Sequence, residues 1–149
     1  MNEPAPQLPA TVSAFELRML STPLGARLAR LRAAEELRAW QTPSPIRKQA
    51  ELIIAELAAN AVLHGRASDR DFKLTVTSDA ALGTLRIAVT DTHGDRLPVP
   101  LSSPNPNGES GRGLLIVSTL AVHWGVDPHP PAGKTVWAEL DVCGKLLVP

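Results

Sequence analysis

Hydrophobic and polar side chains recur along this chain with two different periods, which separate predicted strands from predicted helices. Residues 13–20 alternate apolar and polar positions, and so do the runs 72–78 and 85–91, which flank the turn sequence DAALG. Alternation with period two is typical of half-buried strands, and the intervening turn predicts that the second and third runs form a hairpin. Two closing strands are predicted in the segments VHWGVD and KTVWAELDV.

Three segments carry their apolar residues at helical spacing instead. The first covers residues 28–40, with apolar positions at 28, 31, 34, 37 and 40. The second runs from about Pro45 to His64, with a serine placed as its N-cap and a glycine placed to end it. The third covers residues 112–122.

The order of these elements, β-α-α-β-β-loop-α-β-β, predicts the fold class. Strands joined directly by turns favour an antiparallel sheet over one built from alternating strands and helices. We therefore expect an α+β two-layer sandwich, in which helices cover one face of a mixed, mainly antiparallel sheet. The proline-rich residues 1–10 are expected to form a flexible arm, and residues 11–149 a single domain.

Composition and charge narrow the function classes. The chain has 149 residues with 15 basic and 15 acidic side chains, so its charge indicates neither nucleic acid nor an anionic membrane as a partner. A single cysteine, Cys143, excludes an internal disulfide and a cysteine zinc cluster. No apolar run is long enough to cross a membrane and no signal peptide is visible, so we expect a cytoplasmic protein.

The second predicted helix carries two polar residues among its apolar ones. With Ile53 at zero and about 100° per residue, Glu56 lies near −60° and Asn60 near −20°. Both positions fall inside an apolar arc, which Leu52 and Leu63 extend on one side. One interpretation is a core network in which both groups are hydrogen-bonded. The other is that this face lines a cavity, where the amide oxygen holds a hard cation and the acid orients water or a hydroxyl.

The tripeptide Gly133-Lys134-Thr135 matches the end of a phosphate-binding P-loop, and two observations exclude that motif. The pattern GxxxxGK[ST] requires glycine at position 128, which is Pro128 here, and a helix after the threonine. The segment KTVWAELDV predicts a strand instead. The four histidines also lack the spacing of zinc ligands.

The stretch ELAANAVLHG, residues 56–65, resembles the N-box of the GHKL ATPases, the superfamily of the gyrase, histidine-kinase and MutL nucleotide-binding domains. More narrowly it is similar to the anti-sigma factor serine/threonine kinase branch of bacterial regulators. The resemblance implies ATP and Mg²⁺ as cofactors. It makes Asn60 the metal ligand and Glu56 the general base or hydroxyl-orienting group.

The superfamily expects an acid at the end of a strand that follows the N-box and a hairpin, and Asp91 meets this expectation. The resemblance implies that its carboxylate accepts a hydrogen bond from the adenine amino group. The family pattern D-x-G-x-G becomes Asp91-Thr92-His93-Gly94-Asp95, with both glycines displaced. Gly94 remains the nearest candidate for the nucleotide site, and the displacement predicts an adenine pocket of different shape.

Two further elements follow in the order that the superfamily expects. A polar, proline-rich stretch over residues 95–110 would be the lid, and the glycine-rich turn GESGRG opens the third helix. Backbone amides at Gly111 and Gly113, with the charge of Arg112, are expected to bind phosphate oxygens. The resemblance places Thr135, from the G-x-T element, near the adenine.

The function implied is transfer of the γ-phosphoryl group of ATP to a serine or threonine of an anti-anti-sigma protein, with sequestration of a sigma factor. The branch also implies a possible homodimer through the N-terminal region. The shifted glycines after Asp91 keep a second hypothesis open, a nucleotide-gated binding module with a degenerate ATP site. Hydrolysis of ATP by an activated water is a third, weaker hypothesis.

Overall fold

A computed structural model describes residues 12–64, 70–91, 109–130 and 133–142. These ranges form the strands and helices β1 (Val12–Leu20), α1 (Pro23–Ala39), α2 (Ser44–His64), β2 (Asp71–Asp79), β3 (Thr84–Asp91), α3 (Glu109–Leu120), β4 (His123–His129) and β5 (Gly133–Asp141). The predicted order of elements is confirmed. The first and third helices begin earlier than their apolar patterns indicate, α1 at Pro23 and α3 at Glu109.

The five strands form one sheet in the order β1-β2-β3-β5-β4. Each pair of neighbouring strands is antiparallel. The hairpin predicted between residues 72–78 and 85–91 is the pair β2–β3, which the described turn at Asp79 to Thr84 connects. The expected α+β sandwich with a mainly antiparallel sheet is therefore confirmed.

The helices cover one face of this sheet, and α2 is central among them. It contacts both α1 and α3 and packs on β2, β3 and β5. The covered face presents an apolar ladder in which Leu74 pairs with Val89 and Val89 with Val136. Removing these side chains from water stabilises the sandwich at about 25 cal/mol per Å² of apolar surface.

Helix α1 starts in a tight turn after β1. The hydroxyl of Thr22 accepts a hydrogen bond from the backbone amide of Gly25 at 2.9 Å, which caps the helix N-terminus. A side chain at position 25 would collide with the carbonyl oxygen of Leu20, so the close approach of strand and helix requires glycine there.

The apolar residues at helical spacing in α1 do not coincide with its buried face. Leu37 is fully buried, whereas Leu28 and Leu31 are 40% and 43% exposed. The buried face consists mainly of small residues instead: Gly25, Ala29, Ala33 and Ala34. Small side chains let α1 approach α2 and β1 closely, whereas leucines on that face would hold the helix away.

No helix within the described ranges is long and apolar enough to cross a membrane.

The difference between the two kinds of leucine in α1 generates a stability prediction. Leu37→Ala should lower the free energy of unfolding by about 2–5 kcal/mol, because it opens a cavity in the core. Leu31→Ala is the matched control on the same helix and should cost less than about 1 kcal/mol. Urea unfolding of both variants measures the difference, and equal losses would contradict the assigned orientation of α1.

Candidate functional site

Polar residues gather at one end of the sheet, where several elements meet. Strand β3 ends there at Asp91, and β2 begins there, since Phe72 pairs with Asp91. Helix α2 ends only a short connection before β2, so its C-terminal turns lie at the same end. Helix α3 follows β3 in the chain and leads to β4, which starts at the opposite end beside Glu139. The N-terminus of α3 therefore also belongs to this end.

Asn60 lies in the C-terminal part of α2 and is only 8% exposed. Its side-chain oxygen Oδ1 is buried and accepts no hydrogen bond from any described residue. Leaving a buried polar atom unsatisfied costs about 1–3 kcal/mol, and such atoms in native proteins call for an explanation. An amide oxygen in this state fits a site for a hard cation such as Mg²⁺, which prefers oxygen ligands.

Glu56 lies one turn before Asn60 and is half-buried. The two residues mark the rim of the buried face of α2 rather than its interior. Leu52 and Leu63, expected to extend the apolar arc beyond them, are 51% and 36% exposed. Glu56 and Asn60 thus face the boundary between core and solvent, which favours the cavity interpretation over a closed core network.

Asp91 and Lys134 face each other across β3 and β5 on the helix-covered side of the sheet. Both are buried, with exposed fractions of 1% and 5%. Burial lowers the pKa of the Lys134 ammonium, and the charge of the nearby Asp91 acts in the opposite direction. Each rung of the covered face is a pair of facing residues on neighbouring strands. Asp91 and Lys134 form the last rung at this end of the sheet, and the next rung inward is the apolar pair of Val89 and Val136.

Thr135 points to the other face of the sheet. It pairs with Thr90, and the two hydroxyls are hydrogen-bonded at 2.9 Å. The structure therefore brings Lys134, and not Thr135, beside Asp91 on the covered side. The sequence motifs do not mark Lys134 as a site residue, although the period-two pattern of its strand puts it on the same side as Val136 and Ala138.

The predicted phosphate-binding residues are described only as backbone. Gly111, Arg112 and Gly113 belong to the first turns of α3, and not to a loop before it, because the helix begins at Glu109. A helix N-terminus offers unpaired backbone amides and a partial positive charge to anions. Gly94, residues 95–108 of the predicted lid and the side chain of Arg112 lie outside the described residues.

Comparison with known proteins identifies the family. A model of the histidine kinase-like ATPase domain matches residues 20–140, which is most of the chain. No curated protein matches. The predicted resemblance to the superfamily is confirmed, and a domain of this kind implies ATP as its ligand.

Two solved structures share the fold. The chain is 19% identical to the RsbU and RsbW domains of Rv1364c from Mycobacterium tuberculosis, with a TM-score of 0.66 over 87% of this chain. It spans only 32% of that protein. It is 9% identical to one chain of the SiaB–SiaC complex of Pseudomonas aeruginosa, with a TM-score of 0.59 and coverage of 85% of this chain and 88% of that one.

At these identities the two neighbours establish the fold alone. The family match covers the helix with Glu56 and Asn60, the end of β3 and the start of β5, so it contains every element of the candidate site. The chain belongs to the histidine kinase-like ATPase domain family.

Proposed function

We propose that this protein is an ATP-dependent serine/threonine kinase that phosphorylates an anti-anti-sigma partner and sequesters a sigma factor. The observation that carries the proposal is the buried, unsatisfied amide oxygen of Asn60 one helical turn from the half-buried carboxylate of Glu56. A metal ligand and an acid so placed meet the main needs of phosphoryl transfer, which are positioning and charge neutralisation.

The Asn60 oxygen would hold Mg²⁺ together with phosphate oxygens and water. Mg²⁺ keeps several waters and takes few protein ligands, so a single amide is sufficient. The ion, when bound, neutralises charge on the β- and γ-phosphates. Burial of Asn60 restricts its side chain to one position. This restriction lowers the entropy cost of ordering the side chain when Mg²⁺ and nucleotide bind.

Glu56 is suited to act on the attacking hydroxyl. At four residues' separation, Glu56 and Asn60 project from the same side of α2, about 40° apart. The carboxylate would take the hydroxyl proton while the serine or threonine oxygen bonds to the γ-phosphorus. The bond from that phosphorus to the bridging oxygen breaks in the same step, and ADP leaves with the electron pair. Partial exposure keeps Glu56 accessible to a partner's side chain.

The remaining contacts would bind the nucleotide. Asp91 accepts a hydrogen bond from the adenine amino group, and its near-complete burial excludes water that would compete for it. The amides of Gly111 and Gly113 and the charge of Arg112 stabilise the phosphates at the N-terminus of α3. Gly94 lies in the segment that follows Asp91 and is proposed as part of the adenine pocket.

The partner assignment has indirect support. One structural neighbour contains an RsbW domain, and the other was solved as a complex of two proteins. A kinase of this type acts on another protein, so a binding partner fits the proposed chemistry. The feature that favours the competing hypothesis, a binding module without catalysis, is the displacement of the glycines after Asp91.

The metal role of Asn60 gives a prediction with two readouts. Asn60→Ala should weaken binding of ATP with Mg²⁺ by about tenfold or more, as expected for loss of a charged contact. It should leave thermal stability unchanged or raise it, because it removes a buried polar atom without a partner. Calorimetry and thermal unfolding measure the two effects.

The matched control for this variant is Gln49→Ala, an amide on the same helix about 16 Å away. It should leave the affinity for Mg²⁺ and ATP unchanged. Loss of stability in Asn60→Ala with unchanged nucleotide affinity would identify Asn60 as part of a structural network and remove it from the metal site.

The role of Glu56 gives a prediction about catalysis. Glu56→Gln keeps the shape of the side chain, so affinity for ATP should stay within about threefold of the original, while phosphoryl transfer falls by about 10²–10⁴-fold. The unaltered protein or the variant is incubated with labelled ATP and a partner protein that was captured in the presence of ATP. The label on serine or threonine of the partner protein is then measured.

Glu51→Gln is the control for catalysis, since Glu51 is also half-buried on the same helix but on a different side. It should retain full transfer. Tight binding of the partner without transfer of label by the unaltered protein would instead make this protein a binding module, and release of free phosphate would make it an ATP hydrolase.

The proposed homodimer is supported by the position of β1 at the edge of the sheet, where β2 is its one pairing partner among the described residues. An open edge presents unpaired backbone groups to a second strand. Light scattering during size-exclusion chromatography should give about twice the mass of the 15.9 kDa chain. A single monomeric peak at every concentration tested would contradict the dimer.

A further inference from the structure

Lys134 is a charged residue in a position that a stable core does not require. Its side chain is 5% exposed and lies on the covered face of β5, directly opposite Asp91. Lysine is almost never fully buried unless it is paired, because the ammonium loses its hydration. Replacing a buried ion pair by apolar residues is often neutral or stabilising, so stability alone is a weak explanation for the pair.

The location of the pair suggests a role in binding. Asp91 and Lys134 form the last rung of the covered face at the end of the sheet where α2 carries Asn60. Every rung further inward is apolar, beginning with Val89 against Val136. The pair is therefore the place where the core meets the candidate nucleotide site, and it offers an acceptor and a donor side by side.

The chemistry of adenine matches this arrangement. The edge of the base carries a donor, the N6 amino group, next to an acceptor, the ring nitrogen N1. A carboxylate alone satisfies only the amino group. An ammonium beside that carboxylate supplies a donor for N1, and hydrogen bonds to a charged group in a buried site are stronger than neutral ones.

We propose that Lys134 is a second base-contacting residue, whose ammonium donates a hydrogen bond to N1 of adenine while Asp91 accepts one from N6. The proposal rests on the proposed binding of ATP and adds the residue that forms a hydrogen bond with N1, the second polar atom on this edge of the base. It also gives the pocket a recognition pair in place of Thr135, whose hydroxyl is directed to the opposite face of the sheet and bonded to Thr90.

The test compares ATP with 1-deaza-ATP, in which a C–H group replaces N1, by calorimetry. The unaltered protein should bind 1-deaza-ATP about tenfold or more weakly than ATP, because a charge-assisted hydrogen bond is lost. Lys134→Met should bind ATP as weakly as it binds the analogue, so the ratio of the two affinities falls to about one. A purely structural lysine would lower both affinities together and leave the ratio unchanged.

Lys73→Met is the matched control, since Lys73 lies near the same end of the sheet on its other face, opposite Thr90. It should keep the ratio of the unaltered protein. If Lys134→Met does not fold, Lys134→Gln retains a neutral donor, and its ratio should lie between that of the unaltered protein and one.

The outcomes separate this inference from the function on which it rests. Failure of the unaltered protein to bind ATP at millimolar concentration would overturn the proposed function. Binding of ATP with the same preference over 1-deaza-ATP in the unaltered protein and the Lys134 variants would leave that function standing and overturn the base contact.

Discussion

A helix that packs across the middle of a sheet can bury only one side of itself, and the site of this protein depends on where that buried side ends. Helix α2 directs Ile53, Leu57 and Ala61 into the core, and the rim of the same face carries Glu56 and Asn60. Because the core packing on both flanks holds α2 in place, the amide of Asn60 stays buried although no described residue donates a hydrogen bond to its oxygen. The fold thus maintains a polar group in a state that an isolated helix would relieve by exposing it to water.

The opposite wall of the site follows the same principle. The covered face of the sheet is apolar until its last rung, where Asp91 and Lys134 replace the aliphatic pairs. Burial works against the charge of Lys134, and the carboxylate of Asp91 supports it, so the two groups are tied to each other electrostatically. Polar groups that give little net stability therefore gather at one end of the sandwich, while the aliphatic core at its centre holds the elements together. Such a separation of polar site residues from the aliphatic core is expected because ligand binding requires polar groups, whereas stability of the sandwich requires apolar packing.

Much of the fold follows from local patterns. The strands, the hairpin and the extent of α2 could be predicted because alternation, turn residues and caps act over a few neighbouring residues. The pair of Glu56 and Asn60 could be recognised for the same reason, since both lie within one helical turn of a distinctive motif.

Features that depend on tertiary contacts were not accessible in this way. In α1, alanines and leucines both count as apolar, and only the close packing against α2 decides that alanines are buried while Leu28 and Leu31 remain exposed. In β5, Val136, Trp137 and Ala138 are all apolar, so the pattern did not show which side of the strand is covered. The structure places Trp137 on the face of the sheet opposite the helices, where Gly125 leaves room for its ring and Arg86 lies 4.4 Å from the ring centre. Because side chains alternate along a strand, Thr135 lies on that same face as Trp137, and Lys134 lies on the helix-covered face beside Asp91.

In the proposed site, α2 keeps the Asn60 oxygen buried for a metal ion that arrives with the nucleotide. A crystal structure with Mg²⁺ and a non-hydrolysable ATP analogue would show whether Asn60 has this role. We expect the Asn60 Oδ1 atom at about 2.0–2.1 Å from the ion, with the Glu56 carboxylate beside the γ-phosphate and no contact between Glu56 and the metal. A complex in which the ion binds only phosphates and water, while Asn60 Oδ1 accepts a hydrogen bond from a protein donor, would contradict the account.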